Sequence, residues 1–324
     1  MKLKSSAVLF LDLLFITRPL LLVPVWGFAA FGYWRCKGFS IADLPRSLFL
    51  IQPQVLLWII IFSLSVAAVY ILNQIADIEV DLKNGGKPLI ASGVVSPAIS
   101  MAFAVFLSVV SIAVPLAFSR TTLALLSGLA LLIGILYSFK PFSFSGRPIL
   151  DFFSNATGYG LIAFGAGWSL AGGELLNRDF LFSALPYFLL MCAGSISSTL
   201  PDRPGDMECG KNTTAVVLGN FKAHVIALIC LISAGLFSLI NPDSVITICF
   251  IGTIPFYLGY LIAPNRFWME ATYKAGGAFT MICAGVLIPL MIPVALIVFF
   301  MTWLYFRLRH GVSYPTLVPV NSRT

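Results

Sequence analysis

The chain has 324 residues, of which 59% are hydrophobic and only 10% charged, and its mean hydropathy is +0.97. A soluble protein of this length could not cover so much apolar surface, so the composition indicates an integral membrane protein. The net charge of +7 comes without a basic run, which excludes nucleic acid as an expected partner. The six cysteines form no C-x-x-C pair and there are two histidines, so we expect neither a zinc site, a disulfide framework nor histidine-based chemistry.

Apolar runs of about 20 residues, the length that crosses a bilayer, predict nine membrane-spanning helices. In chain order they cover residues 8–32, 54–76, 97–118, 121–139, 149–171, 180–200, 223–240, 244–263 and 277–305. The last run is long enough to tilt, or to break at Pro289 or Pro293. We therefore predict an all-α fold, a polytopic bundle of about nine transmembrane helices around a central cavity, with residues 1–324 forming a single domain.

Lysines and arginines in the short loops set the predicted orientation. With the N-terminus inside, the inner segments hold eleven of these cations and the outer loops five, although the C-terminal tail adds Arg307, Arg309 and Arg323 outside. The count therefore favours an orientation in which the loops after the second and sixth predicted spans, and the site that they form, face the cytoplasm. Arg18 lies inside the first predicted span, where a charge either points into the bundle or extends to the interface.

The stretch after the second predicted span carries charged residues in a regular pattern. Asn73, Asp77 and Asp81 are four residues apart, so on a helix they face the same way. Carboxylates at the end of a membrane span are costly, and they are tolerated chiefly where they line a cavity or hold a cation. A hard divalent cation would relieve the repulsion between the two stacked carboxylates, which is the working hypothesis for this stretch.

A second stretch with the same aspartate spacing, Asp202 and Asp206, closes the sixth predicted span. The two stretches together hold six of the chain's thirteen acidic residues. Three complete spans separate them, so both are predicted to emerge on one membrane face, together with the loop that follows Tyr137. Opposed acidic pairs that hold magnesium beside lysines form a receptor for a diphosphate. The apolar bundle behind them suits a hydrocarbon tail.

In these motifs the chain resembles the UbiA superfamily of intramembrane prenyltransferases. The shared patterns are N-x-x-x-D-x-x-x-D after the second span, K-P-L-x-x-S-G from Lys87 to Gly93, and D-x-x-x-D with G-K-x-T after the sixth. The resemblance covers nearly the whole chain. It implies Mg²⁺-dependent transfer of a polyprenyl group from an isoprenyl diphosphate to a lipophilic acceptor within the bilayer, by ionisation of the diphosphate.

The same resemblance implies roles for individual residues. The catalytic metal ligands for two Mg²⁺ ions, which Mn²⁺ could replace, are the pairs Asp77 with Asp81 and Asp202 with Asp206. The implied substrate-binding residues are Asn73, Arg18, Lys87, Tyr137, Lys140 and Lys211. The family's tyrosine–lysine motif reads Y-x-x-x-K, whereas the motif here is one residue shorter, which leaves the role of its lysine open.

Asp151, Asn155 and Tyr159 share one face of the fifth predicted span. They either contact the acceptor or satisfy one another and the neighbouring helices. Of the three, Asn155 is included in the predicted substrate site.

Two other classes of membrane protein fit part of the pattern. A cation-coupled transporter also carries carboxylates in its spans, but near mid-membrane and in discontinuous helices rather than at span ends on one face. A CDP-alcohol phosphotransferase would need a D-G-x-x-A-R signature, whereas Asp77 is followed by Ile78 and Glu79. The acceptor stays open among quinone precursors, phenols, chlorophyllides, glycerol lipids and carotenoids.

Overall fold

The computed structural model describes residues 6–39, 51–83 and 89–314. All the regular secondary structure in these three ranges is helical, with no strand, which confirms the predicted all-α fold class. Helices dominate because a long apolar run that enters a bilayer must satisfy every backbone N–H and C=O internally, and a helix does so within one segment.

Eight α-helices occupy the first half of the described chain. They are α1 (Ser6–Ile16), α2 (Pro19–Lys37), α3 (Pro53–Ala76), α4 (Ile78–Lys83), α5 (Pro97–Ala117), α6 (Thr121–Ser138), α7 (Leu150–Ala156) and α8 (Phe164–Leu170). A 3-10 turn, Phe144–Gly146, precedes α7, and a π-helical turn, Thr157–Ala163, joins α7 to α8. Prolines begin α2, α3 and α5, at a position where the missing N–H costs no helical hydrogen bond.

Seven further helices complete the described chain. They are α9 (Arg178–Thr199), α10 (Arg203–Glu208), α11 (Thr214–Leu218), α12 (Asn220–Ile240), α13 (Ser244–Ile262), α14 (Arg266–Leu287) and α15 (Met291–His310). A 3-10 turn, Leu200–Asp202, links α9 to α10. The side chains of Asn177, Asp243 and Asn265 cap α9, α13 and α14 by accepting from first-turn N–H groups.

Within the described ranges, seven helices are long and apolar enough to cross a bilayer, and the bent pair α1–α2 makes eight if it counts as one span. The approximate prediction of nine spans is close, but two of the predicted spans are not single continuous helices in the structure. The fifth is divided into α7, the π-helical turn and α8. The ninth, 277–305, is two helices, because Pro289 disfavours helical backbone at Ile288 (φ −132°, ψ 88°) and so ends α14.

The reversal at Pro289 changes where α15 ends. We call the end of the bundle where Asp77 and Asp202 follow α3 and α9 the site end, and the opposite end the far end. One cavity at the site end is lined by residues from both ends of the chain, including Arg18, Asp81, Phe306 and Tyr314. The helix α15 therefore ends beside the first aspartate motif. The expectation that Arg307 and Arg309 lie on the opposite, outer side is wrong, and Arg323 lies outside the described residues.

Two glycines let α2 and α8 approach closely. A Cβ on Gly32 would overlap the backbone of Phe164, and one on Gly167 would overlap the Ala29 carbonyl. Small residues permit such contacts in membrane bundles. The contact fixes α8 against α2, and with it the adjoining π-helical turn, which carries Tyr159.

A buried aspartate ties the far end together. Asp243 is 4% exposed, and its Oδ2 accepts from the Tyr187 hydroxyl at 3.0 Å and lies 3.1 Å from Arg35 Nε. Arg35 belongs to the last turn of α2, a helix roughly 28 Å long that begins beside Arg18 at the site end. The network therefore holds α2, α9 and α13 together at the end of the bundle away from the aspartate motifs.

Candidate functional site

The first aspartate motif is built where α3 ends. Asp77 follows the last residue of α3, and its backbone N–H donates to the Asn73 carbonyl at 2.9 Å. The Asn73 side-chain amide donates to Asp77 Oδ2 at 2.9 Å and so orients the carboxylate. The C-terminal end of a helix already carries partial negative charge. A carboxylate at this position therefore favours a cation beside it.

Asp81 lies one turn further along, in α4. Its Oδ2 is buried and has no hydrogen-bond partner in the part of the chain that the structure describes. Burial raises the pKa of Asp81 above its ordinary value; Arg18 and Lys211 lower the pKa, whereas the charge of Asp77 raises it further. A buried carboxylate oxygen that accepts no hydrogen bond and lies near a second carboxylate is suited to binding a cation.

The second aspartate motif follows α9. Asp202 closes the 3-10 turn, and Asp206 lies in the short helix α10. Asp206 Oδ2 accepts from Thr213 Oγ1 at 3.4 Å, and the Asp206 carbonyl accepts from the Lys211 N–H at 2.9 Å. These two bonds fold the chain back after α10 and return Lys211 toward the aspartates.

Lys211 joins the two motifs. Its Nζ lies 3.4 Å from Asp77 Oδ1, although 134 residues separate them in the chain. Its charge also acts on Asp81, Asp202 and Asp206. The two motifs thus meet at one end of the bundle, as their positions in the sequence predict. Among the residues described, however, no three acidic, histidine or cysteine side chains converge closely enough to hold a metal ion.

Asp151 fastens the loop that carries Lys211. This aspartate is 3% exposed; its Oδ2 accepts from the Thr214 N–H at 2.7 Å, and its Oδ1 accepts from the Thr214 hydroxyl at 2.6 Å. Nearby, the Asn212 N–H donates to the Gly146 carbonyl at 3.1 Å. The face that carries Asp151, Asn155 and Tyr159 is expected either to contact the acceptor or to bond with neighbouring helices. Asp151 does the second, because its carboxylate accepts hydrogen bonds from Thr214. Sequence reasoning missed Thr214, because the G-K-x-T motif ends one residue before it.

Five polar side chains lie between two apolar cavities. The large cavity, about 490 Å³, extends between α2, α9, α13 and α14, and the small one, about 100 Å³, lies between α3, α6 and α7. The side chains that line both are Tyr70, Asn73, Tyr137, Asn155 and Tyr159. The Tyr70 and Tyr159 hydroxyls are 2.6 Å apart, and Asn155 Nδ2 is 3.5 Å from the Tyr137 hydroxyl. The π-helical turn at 157–163 places Tyr159 in this wall, and such turns are frequent at functional sites.

One predicted substrate-binding lysine, Lys140, does not lie among these five polar side chains. Lys140 is exposed after the end of α6 and lines neither of the two cavities. Phe139 has extended backbone (φ −103°, ψ 144°) and ends α6, so helical spacing no longer places Lys140 on the face that carries Tyr137. Lys87 lies outside the described residues. Arg18 is at the junction between α1 and α2, where it lines a third cavity of about 220 Å³ together with Asp81.

A helical membrane bundle with paired carboxylates and cations at the mouth of an apolar cavity has the form of an intramembrane enzyme acting on a charged lipid. A family model described as the UbiA prenyltransferase family matches residues 25–276. This match covers most of the chain, so the protein belongs to the UbiA prenyltransferase family. Membership agrees with the motif resemblance and decides between an enzyme and a transporter in favour of the enzyme.

Individual relatives agree with this assignment. A digeranylgeranylglyceryl phosphate synthase from Sulfolobus acidocaldarius is 28% identical over 210 residues, which are 64% of this chain and 68% of that protein. A solved structure of a digeranylgeranylglyceryl phosphate synthase has a TM-score of 0.64 at 19% identity, covering 88% of this chain and 99% of the other. A UbiA homologue from Archaeoglobus fulgidus, solved with DMAPP and Mg²⁺, has a TM-score of 0.57 at 19% identity, covering 83% and 99%. At these identities the structural likenesses concern the fold.

Proposed function

We propose that this enzyme transfers a prenyl group from a prenyl diphosphate to a lipophilic acceptor at the site end of the bundle. The observation that carries the proposal is the meeting of two acidic pairs around Lys211. The two apolar cavities begin at Asn73 and Tyr137, directly behind these charges. A molecule with a diphosphate head and a hydrocarbon tail matches this arrangement, in which a charged surface is followed by apolar cavities.

The donor set fits magnesium. Mg²⁺ prefers carboxylate oxygens and substrate phosphate oxygens, and one oxygen of Asp81 is buried without a donor. The residues that would hold the two ions, or Mn²⁺ in their place, are Asp77, Asp81, Asp202 and Asp206. When bound, the metal supplies positive charge that stabilises the departing diphosphate.

The chain's own residues account for the rest of the reaction. Lys211 and Arg18 are cations that would bind phosphate oxygens, and Asn73 holds Asp77 in position. The bond between the allylic carbon and oxygen breaks, and the diphosphate leaves with the electron pair. A nucleophilic atom of the acceptor then bonds to the allylic carbon and loses its proton. The apolar walls of the two cavities keep water from reacting with the allylic carbocation that forms when the diphosphate leaves.

We propose a glycerol lipid as the acceptor to test first, because the Sulfolobus relative is named for a glycerol-lipid product. The purified enzyme in vesicles would receive geranylgeranyl diphosphate with a monoprenyl glyceryl phosphate, 4-hydroxybenzoate or lycopene. Mass spectrometry should find one added prenyl unit on the glyceryl phosphate only. Addition to another acceptor would change the proposed acceptor. An enzyme that modified none of the three and released no diphosphate with Mg²⁺ present would contradict the proposed transfer.

The site end is proposed to face the cytoplasm. Arg307 and Arg309 lie at the end of α15, which is beside the first aspartate motif. They therefore add to the cations at the site end instead of opposing them, which strengthens the positive-inside argument.

A further inference from the structure

The junction between α1 and α2 is strained at the residue that enters the site. The two helices meet at an angle of 50°, and Arg18 at the junction has φ 52° and ψ 62°. A non-glycine residue keeps this left-handed conformation only where its surroundings enforce it. The Ile16 carbonyl, freed by the break, accepts a hydrogen bond from the buried Gln74 side chain at 2.8 Å. The junction is therefore built into the fold and presents Arg18 to the cavity beside Asp81.

The last helix holds α1 in its bent direction. Asp12 of α1 is fully buried, and its Oδ1 accepts from the Tyr305 hydroxyl at 2.7 Å. Arg309 Nη2 lies 3.3 Å from Asp12 Oδ2, and the rings of Phe15 and Tyr305 stack with centroids 3.9 Å apart. A buried carboxylate is costly unless it is paired and hydrogen-bonded. These contacts therefore specify where α1 lies rather than simply filling space.

Both halves of this contact lie outside the residues that the family model matches. That match covers residues 25–276, whereas Asp12 and Arg18 precede it and α15 follows it. Thr302 and Phe306 of α15 also line the cavity that holds Arg18 and Asp81. The first and last helices of this chain thus complete one side of the site.

We propose that Asp12, Tyr305 and Arg309 are positioning residues that hold Arg18 in place for the diphosphate of the donor. The proposal rests on the proposed function. The contact between α1 and α15 sets the direction of α1, the direction of α1 sets the junction, and the junction aims the Arg18 guanidinium at the metal-binding aspartates.

A double-mutant cycle tests this directly. Arg18→Gln should raise the KM for geranylgeranyl diphosphate about tenfold or more, as expected for losing one charge-assisted hydrogen bond. Asp12→Asn should raise the same KM by a similar factor. The double variant should be no worse than Arg18→Gln alone, because Asp12 acts through Arg18. Arg309→Lys should retain more donor affinity than Arg309→Gln, and Tyr305→Phe provides a milder variant if Asp12→Asn does not fold.

The far end supplies a matched control. Asp243 is also a buried aspartate held by a tyrosine hydroxyl and an arginine, so Asp243→Asn should lower thermal stability without changing the KM for the donor. Multiplying effects in the double variant, or an equal rise of KM in Asp243→Asn, would overturn the positioning role. So would an unchanged KM in Arg18→Gln or in a folded Asp12→Asn. The proposed function fails separately, if Asp77→Asn keeps its turnover.

Discussion

At the scale of single residues, the charge balance of the site decides its chemistry. One ammonium group, on Lys211, lies close to Asp77 and within electrostatic range of the other three aspartates. Arg18 adds a second positive charge beside Asp81, and two positive charges cannot neutralise four carboxylates and also bind a diphosphate. The site is therefore suited to take up further positive charge together with its substrate.

Neutralising one aspartate in either motif should remove nearly all turnover. Asp77→Asn and Asp202→Asn each lose a charged oxygen ligand while keeping side-chain volume, and they relieve repulsion between carboxylates. We expect unfolding temperatures near or above that of the unaltered enzyme. Turnover is measured as diphosphate release, and unfolding by a thermal melt in detergent.

Two neighbouring glutamates provide controls for these variants. Glu79 and Glu208 are exposed members of the same two segments, so Glu79→Gln and Glu208→Gln should stay active. If Asp77→Asn or Asp202→Asn kept more than about a tenth of the turnover, corresponding to about 1.4 kcal/mol of barrier, that residue would not be a metal ligand.

Removal of divalent metal should stop the reaction. With excess EDTA the four carboxylates repel the diphosphate, so we expect no diphosphate release, and full recovery when Mg²⁺ or Mn²⁺ is restored. Release at the full rate in EDTA would exclude this mechanism. Equal recovery with Ca²⁺ would argue against a compact octahedral site.

At the scale of helices and loops, Asp151 and Thr214 join two segments that hold the second motif. The carboxylate accepts from both the N–H and the hydroxyl of Thr214. Thr214 begins α11, only three residues after Lys211. The direction of the lysine therefore depends on a buried hydrogen-bond network.

Thr214→Val should destabilise the protein and slow turnover together. It removes one donor from a buried carboxylate, which costs about 1–3 kcal/mol, and it loosens the loop that carries Lys211. Thr214→Ser keeps the hydroxyl and should remain near the unaltered enzyme in both thermal unfolding and diphosphate release. Normal stability and turnover in Thr214→Val would show that this network does not hold the loop.

Local signals in the sequence predict the helix ends well where proline or capping residues mark them. The predicted spans 54–76, 97–118 and 244–263 differ by a residue from α3, α5 and α13, which begin at Pro53, Pro97 and the Asp243 cap. The sequence does not decide whether the last run tilts or breaks at Pro289 or Pro293, because the residues around both prolines are apolar. The partner of Asp151 is 63 residues away, and hydropathy carries no information about such a pairing.

At the scale of the whole molecule, the reversal at Pro289 changes the predicted membrane topology. Nine spans would put the two ends of the chain on opposite sides. In the structure, α15 ends beside α1 and the first aspartate motif. The sequence predicts opposite sides because residues 277–305 form one long apolar run, and hydropathy does not show that this run folds back on itself.

Cysteine labelling distinguishes these topologies. On a background without the native cysteines, Asn212→Cys and Ser313→Cys should both react with an impermeant reagent only when the cytoplasmic face is open. Glu174→Cys, in the far-end loop between α8 and α9, should react in intact cells. Labelling of Ser313→Cys from outside, with Asn212→Cys inside, would support nine spans and contradict the structure. Labelling of both from outside would keep the fold and reverse its orientation.

The contact between Asp12 and α15 also has a consequence for biosynthesis. The partners of Asp12 are 293 and 297 residues later in the chain, so at roughly 5–20 residues per second the ribosome supplies them only after tens of seconds. Throughout that interval the Asp12 carboxylate lacks the partners that offset the cost of burying it. If Asp12 positions Arg18 as we propose, Arg18 reaches its final place only when the last helix arrives. A chain released before α15 is made would therefore contain both aspartate motifs and lack the contacts that hold Asp12.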